Sequence, residues 1–308
     1  MLKKSVSIII LTILFIAPTS VFALSMPRTG SELADMSGIS AKAYIVVNTE
    51  TGQTLAAKNE NMARVPASLT KLMTALVVLD TKPKLSKTVS MTKADQTAGA
   101  CASSGVCIKA KAGVKFTVDG LFHATLILSA NNAANALARS TGLAPEKFAE
   151  KMNEKARQLG ALNTKFNEPT GMDPNNTTTA ADYAKILAAT FNNAYLKKIT
   201  NLQKYTLRSS NNSKYNQVIK NTNKLLGDSD IKVLVAKTGY LDESRYNFAA
   251  MARYKNGPKL AIVVLGKEHL YSAFAETKLL ASLAEDAQIL AFANNQSIVL
   301  GTNITAGQ

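Results

Sequence analysis

The sequence predicts an α/β chain of the α+β kind, with one sheet assembled from both ends of the polypeptide and a helical lobe inserted between them. Three observations lead there. Strand-like segments open the folded part, an Ala- and Leu-rich middle has helical character, and strands return in the last third. A hydrophobic content of 46% is that of a folded globular chain rather than a disordered one.

The amino terminus comes first. Lys3 and Lys4 precede an apolar run from Ser5 to Ile16, and Val21-Phe22-Ala23 supplies small residues where a signal peptidase reads. Residues 1–23 are therefore expected to be an export signal that is removed. The run is shorter than the ~20 residues a transmembrane helix needs, so membrane association through a retained segment is the less favoured outcome. Residues 24–40 form a lead into a domain expected over 41–293.

Within that domain, Ala43 to Val47 is apolar and β-branched, Thr49-Glu50-Thr51-Gly52 reads as a turn, and Gln53 to Ala57 returns as a second strand. From Pro66 to about Ile199 helical segments alternate with Pro, Gly and Asn clusters. The separate helical lobe is placed at about 85–200. Ile231, Val233 and Val235 then alternate ahead of Lys237, and further strands are expected at Arg245 to Arg253 and Leu260 to Leu265. A closing helix covers Ser272 to Ala293, and 294–308 is a polar, peripheral tail. No internal repeat or low-complexity linker is present.

The formal charge is +15, which implies anionic surroundings. An exported chain without a nucleic-acid motif is not expected to meet nucleic acid, so cell-wall carboxylates or phosphates fit the address better. The competing reading is a diffuse, solvated basic surface. Cys101 and Cys107 flank Ala-Ser-Ser-Gly-Val, and outside the cytoplasm a disulfide is favoured over two free thiols. No His or further Cys is near enough to suggest zinc.

The chemistry concentrates in three short segments. In Pro66-Ala67-Ser68-Leu69-Thr70-Lys71, proline suits a first helical turn, and Leu72 to Leu79 is apolar on nearly every side, as in a buried helix. Ser68 and Lys71 are three apart and share a face. Burial disfavours a charged lysine, and a neutral amine beside a hydroxyl can act as its base. Taken alone, Ser-x-x-Lys is more often an ordinary serine and a solvated lysine. Ser129-Ala130-Asn131 follows the apolar run 121–128, where a helix breaks before resuming. Lys237-Thr238-Gly239 ends an alternating strand, where glycine lets a ligand backbone approach. Histidine offers little: His123 sits in an apolar run and reads as packed, and His269 reads as exposed. A lysine base is favoured over a His triad.

In this order the three segments resemble the Ser-x-x-Lys, Ser-x-Asn and Lys-Thr-Gly set of penicillin-binding proteins and serine β-lactamases. The likeness extends from about Ala41 to Ala293. Ser129-Ala130-Asn131-Asn132-Ala133-Ala134, Pro169-Thr170-Gly171-Met172-Asp173, Thr178-Thr179-Ala180-Ala181-Asp182 and Asn221-Thr222-Asn223-Lys224-Leu225-Leu226 resemble the D-alanyl-D-alanine carboxypeptidase family, the low-molecular-mass penicillin-binding proteins. That resemblance implies a β-lactamase/transpeptidase-like fold, an antiparallel sheet of about five strands flanked by helices. It implies Ser68 as nucleophile, Lys71 as its base and Ser129 as proton relay to the leaving amine. Asn131 would orient Lys71 and substrate, and Lys237 and Thr238 would hold the substrate carboxylate. Gly239 would admit the substrate, and the N–H groups of Ser68 and Tyr240 would form the oxyanion hole. The implied substrate is the D-Ala-D-Ala peptide of peptidoglycan, with β-lactam antibiotics as covalent inhibitors, and the resemblance implies no metal or organic cofactor.

The chain also departs from the family. It ends soon after Lys-Thr-Gly, without room for the second β-rich domain and amphipathic anchor many carboxypeptidases carry, which resembles shorter D,D-endopeptidase members. Asp242-Glu243-Ser244-Arg245 stands where small residues are usual. Three other readings remain: an endopeptidase, a β-lactamase using Glu168 to activate water, and a non-catalytic wall-binding module. For Glu168 a turn carboxylate is the favoured role.

Overall fold

The computed structural model describes residues 38–97, 101 and 105–302. The expected signal, residues 1–23, and most of the lead lie outside the described residues. The first hairpin forms as expected, with β1 (Ala43–Asn48) and β2 (Thr54–Lys58) antiparallel around the Thr49–Gly52 turn. A short 3-10 turn at Ala67–Leu69 leads into α1 (Thr70–Asp80), whose residues from Thr70 to Val78 are all buried.

The middle of the chain is helical, with exceptions that apolar periodicity did not reveal. Two three-residue strands, β3 (Thr88–Ser90) and β4 (Lys115–Thr117), pair across α2 (Ala94–Thr97). Then come α3 (Val118–His123), a π-helical turn (Ala124–Leu128), α4 (Asn131–Arg139), α5 (Pro145–Gln158), α6 (Ala180–Phe191) and α7 (Ala194–Thr200). Their starts are capped by sequence: Thr117 accepts from Gly120 N, Thr179 from Asp182 N and Asn193 from Leu196 N. On α5, Pro145 opens the first turn and Phe148, Ala149, Met152 and Ala156 make the buried stripe.

A second, unexpected hairpin follows, β5 (Lys204–Arg208) with β6 (Asn216–Lys220). The three expected late strands are β7 (Ile231–Leu241), β8 (Arg245–Tyr254) and β9 (Leu260–Lys267). Lys237, Thr238 and Gly239 lie inside β7, not at its end, because pairing with β8 continues through Leu241. The closing helix α8 runs from Leu270 to Thr302, past the expected end at Ala293, since the backbone continues through Asn294 and Asn295 and no proline stops it.

Five strands form one antiparallel sheet in the order β2-β1-β9-β8-β7. Strands from the two ends of the fold thus meet inside it, where β1 pairs with β9. One face packs on the helical lobe through Ile45, Val235, Met251 and Val263. The other packs on α8 through Val46, Phe248, Ile262 and Phe274. The chain's entry is fastened to α8 by Glu276, whose carboxylate accepts from Ser40 N at 2.7 Å and Ala41 N at 3.1 Å and pairs with buried Lys267.

Two irregularities in the sheet decide what faces the lobe. Between Val233 and Val235 the register of β7 slips by one residue against β8. Such a bulge inverts the alternation beyond it. Ile231 and Val233 face α8, whereas Val235 faces the helical lobe; Lys237 follows on that side, opposite Ala249. Between β8 and β9 a second shift lies at Asn247. The buried Asn247 amide donates to Val65 O at 2.9 Å and Pro66 O at 3.2 Å and accepts from Gly266 N at 3.0 Å. It ties the turn before Ser68 to the sheet.

Replacing Asn247 with Ala leaves the buried Gly266 N–H without its acceptor and Val65 O without this donor, while Pro66 O keeps Leu69 N at 3.3 Å, so Asn247→Ala is expected to lower unfolding stability by about 1–3 kcal/mol. Denaturant titration measures it, and an unchanged midpoint would show that the tether carries no stability.

Candidate active site

The site is built where three elements converge. Ser68 lies in the 3-10 turn, preceded by Ala67 with a φ of 50°. A left-handed alanine costs roughly 1–2 kcal/mol, and tertiary contacts hold it. Gly171 (φ 85°) packs so closely that a Cβ there would lie 1.9 Å from Ala67 O, and one on Gly239 would lie 2.8 Å from Pro66 O. Two glycines from different lobes therefore clamp the turn that presents Ser68. The seryl side chain keeps partial exposure, while Lys71 is fully buried one helical turn on.

Lys71 Nζ stands 2.8 Å from Ser68 Oγ, 2.6 Å from Asn131 Oδ1 and 2.5 Å from Thr170 O. An ammonium can donate to all three acceptors. A neutral amine keeps two N–H donors and one lone pair; with the donors on Asn131 and Thr170, the lone pair faces the Ser68 hydroxyl. Burial lowers this amine from its ordinary 10.5 to about 7, against an opposing pull from the Glu168 carboxylate. Both protonation states are accordingly accessible near neutrality.

Ser129 ends the π-helical turn with a φ of 68°, and α4 begins at Asn131. Wide turns of this kind recur at functional sites; here the turn separates Ser129 from Asn131 so that they serve different lysines. Asn131 reaches Lys71, and Ser129 Oγ accepts from Lys237 Nζ at 2.8 Å. Lys237 also donates to Thr238 O at 2.9 Å. Burial pushes its amine well below the ordinary value, and the charge of Lys71 pushes the same way. Ser68, Lys71, Ser129, Asn131, Lys237, Thr238 and Gly239 are thus gathered where the sheet edge meets the helical lobe, with Tyr240 next along β7.

Several contributors had no side-chain signature in the sequence. Thr170 acts through its carbonyl. Thr222, quoted above only as part of a family-like stretch, accepts from Thr238 Oγ1 at 2.7 Å and donates its N–H to Ile127 O at 3.2 Å. It thereby links the Lys-Thr-Gly strand to the segment leading to Ser129. Glu168 takes the expected turn role. Its carboxylate accepts from Thr170 N at 2.7 Å, Thr170 Oγ1 at 2.5 Å, Gly171 N at 2.5 Å and Asn176 Nδ2 at 2.8 Å, which folds the loop that seats Gly171.

Cys101 and Cys107 form the expected disulfide, with Cα atoms 5.7 Å apart. Inside its loop, Val106 O accepts from Asn131 N at 2.7 Å, and Ile108 just beyond bonds the Asn132 side chain in both directions at 3.0 Å. His123 is packed, stacked on Tyr205 at 4.0 Å, and His269 is exposed. Asp242 and Ser244 build the β7–β8 turn: Asp242 accepts from Tyr240 OH at 2.6 Å and Ser244 Oγ from Leu241 N at 3.0 Å.

The profile of the D-alanyl-D-alanine carboxypeptidase family matches residues 30–269. A D-alanyl-D-alanine endopeptidase of Haemophilus influenzae is 32% identical over 242 residues, 78% of this chain and 80% of that protein. The crystal structure of a D-alanyl-D-alanine carboxypeptidase from Mycobacterium tuberculosis superposes with a TM-score of 0.71 at 31% identity, covering 84% of this chain and 96% of that one. An ampicillin-bound penicillin-binding protein of Listeria monocytogenes gives 0.67 at 25% identity, covering 80% and 97%.

Gly171→Ala is expected to displace the Ser68 turn and to lower unfolding stability by about 1–3 kcal/mol in denaturant titration. An unchanged midpoint would mean that the loop does not seat the turn.

Proposed function

The chain belongs to the D-alanyl-D-alanine carboxypeptidase family of serine peptidases, and we propose that it removes the terminal D-alanine from peptidoglycan stem peptides through an acyl-enzyme on Ser68. The observation that carries this reading is the buried Lys71 amine, 2.8 Å from Ser68 Oγ with an affinity for protons near neutrality.

In this reading Ser68 Oγ attacks the carbonyl of the penultimate D-alanine as Lys71 takes its proton. The N–H groups of Ser68 and Tyr240 stabilise the oxyanion. Collapse breaks the C–N bond, and the departing amine receives a proton through Ser129. Water then attacks the ester, returns the proton to Ser68 and releases the shortened peptide. Lys237 has two donors engaged on Ser129 and Thr238; its third suits the carboxylate of the leaving residue, which the Thr238 hydroxyl would join by turning its single proton away from Thr222. That carboxylate would in turn restore the charge that burial disfavours on Lys237.

The endopeptidase named among the relatives supports a second reading in which the chain cuts cross-links. The same pocket serves it whenever the cross-linking amine sits on a carbon bearing a carboxylate. A β-lactamase is disfavoured because the Glu168 carboxylate is taken up by its own loop, which supports a long-lived adduct. The intact Ser68–Lys71–Asn131 arrangement weighs against a non-catalytic binding module. Export through residues 1–23 and action in the cell envelope belong to the same proposal; among the described residues no helix is long and apolar enough to cross a membrane.

Mass spectrometry after incubation with benzylpenicillin tests the nucleophile: a persistent adduct on the peptide containing Ser68 is expected, and none in Ser68→Ala. Adduct on the Ser68→Ala protein would refute the assignment. Digestion of defined muropeptides separates the two readings, since a pentapeptide monomer losing D-alanine marks the carboxypeptidase and a split dimer the endopeptidase. The acylation rate should be at its plateau above pH of about 7, where Lys71 is neutral, and fall toward tenfold per unit below it as the amine binds a proton. A pH-independent rate from 5 to 8 would remove Lys71 as the base.

A further inference from the structure

The basic charge is not spread evenly. No Asp or Glu occurs between Asp95 and Asp119, nor between Asp182 and Asp228. The fold lays parts of these two segments side by side. Lys115 O accepts from Ser210 N at 2.9 Å and Ser209 Oγ at 3.0 Å, Lys115 N donates to Asn211 Oδ1 at 2.8 Å, and Lys109 N donates to Gln217 Oε1 at 3.1 Å. The result is a continuous surface of the 109–115 strap and the β5–β6 hairpin, carrying Lys109, Lys111, Lys115, Lys204, Arg208 and Lys220, all exposed.

None of these six takes part in an ion pair found among the described residues, although lysines on α5 do, through Glu150 and Glu154. In the hairpin Lys204 stands directly opposite Lys220, an arrangement that repels. Register cannot slip to relieve it, because Leu207 and Ile219 are buried on the inner face. The neighbouring carboxylate, Asp119, is engaged behind the sheet with Tyr195 OH at 2.7 Å and His123 at 3.5 Å. A row of cations is thus held together without internal relief.

This surface abuts the cleft at both walls. Lys109 follows Ile108, which holds the Asn132 side chain beside Asn131. Lys220 lies two residues before Thr222, the partner of Thr238. We propose that the β5–β6 face is a second binding surface for the peptidoglycan polymer, holding carboxylates of neighbouring stem peptides while one peptide occupies the Ser68 cleft. The inference rests on the wall-peptidase reading. Lysines predominate, and flexible point charges suit anionic groups spaced along a polymer better than one planar bidentate partner. Val218 and Val106 are the large apolar side chains exposed on or beside the face, too few for the apolar side of a membrane-inserting surface. Tethering through many weak contacts raises the effective concentration of peptide at the cleft without new contacts inside it.

Binding can be read without catalysis by co-sedimenting the full chain carrying Ser68→Ala with purified sacculi stripped of phosphodiester polymers. Adding Lys204→Glu and Lys220→Glu should cut bound protein about tenfold at low salt, and high salt should release the parent. The milder Lys204→Ala, Lys220→Ala pair should show an intermediate loss, while Lys82→Glu with Lys84→Glu, of equal charge change elsewhere, should not. On the Ser68 background, the glutamate pair should leave benzylpenicillin acylation unchanged. Equal sedimentation of all variants would overturn the proposal, as would equal loss in the Lys82/Lys84 control. Binding found only on unstripped walls, or equally on phosphatidylglycerol vesicles, would overturn the carboxylate polymer as occupant. Loss of penicillin acylation by wild type would instead refute the peptidase reading and leave the sedimentation result standing.

Discussion

The arrangement turns on one constraint: a lysine amine must be held without water against a serine hydroxyl. Lys71 meets it because α1 is buried on all sides and its amine is met by polar atoms from two further segments, Asn131 and the Thr170 carbonyl. Isolated burial of a charge would be prohibitive; here the cost is reduced because the group can shed its proton. Much of the surrounding architecture fixes those acceptors. Glu168 folds the loop that aims Thr170 O, and the disulfide-closed loop carries the carbonyl that anchors Asn131 N.

The second lysine shows how a sheet edge becomes one side of the candidate site. β7 is an outer strand, and its bulge turns Lys237 toward Ser129 rather than toward α8. Gly239 then brings the strand against the Ser68 turn as no side-chain-bearing residue could. Two motifs on different lobes therefore meet through backbone proximity, with Asn247 tying the turn to the sheet from below.

The residues gathered at the candidate site were largely legible, because Ser68, Lys71, Ser129, Asn131 and Lys237 sit in short ordered segments with distinctive spacing. The sheet was legible at its β-branched strands. Simple alternation, however, puts Val233, Val235 and Lys237 on one face, and a bulge has no compositional mark, so the aim of Lys237 was not readable. The β5–β6 hairpin escaped notice because Leu207 and Ile219 are its only fully buried members, too little apolar pattern to set a period. Thr170 and Val106 contribute carbonyls, which every residue possesses; only tertiary placement singles them out.

The clasp between Glu276 and the Ser40–Ala41 backbone joins the chain's entry to its last helix across 236 positions of sequence. Together with the β1–β9 pairing at the sheet's centre, it means that the central layer cannot close until the carboxy-terminal strands exist. Topologies dominated by such distant contacts fold slowly. For a chain that emerges from the ribosome amino end first, this delays compaction of the sheet to the end of synthesis. The helical lobe is thus fully synthesised while the sheet against which it packs still lacks its three carboxy-terminal strands.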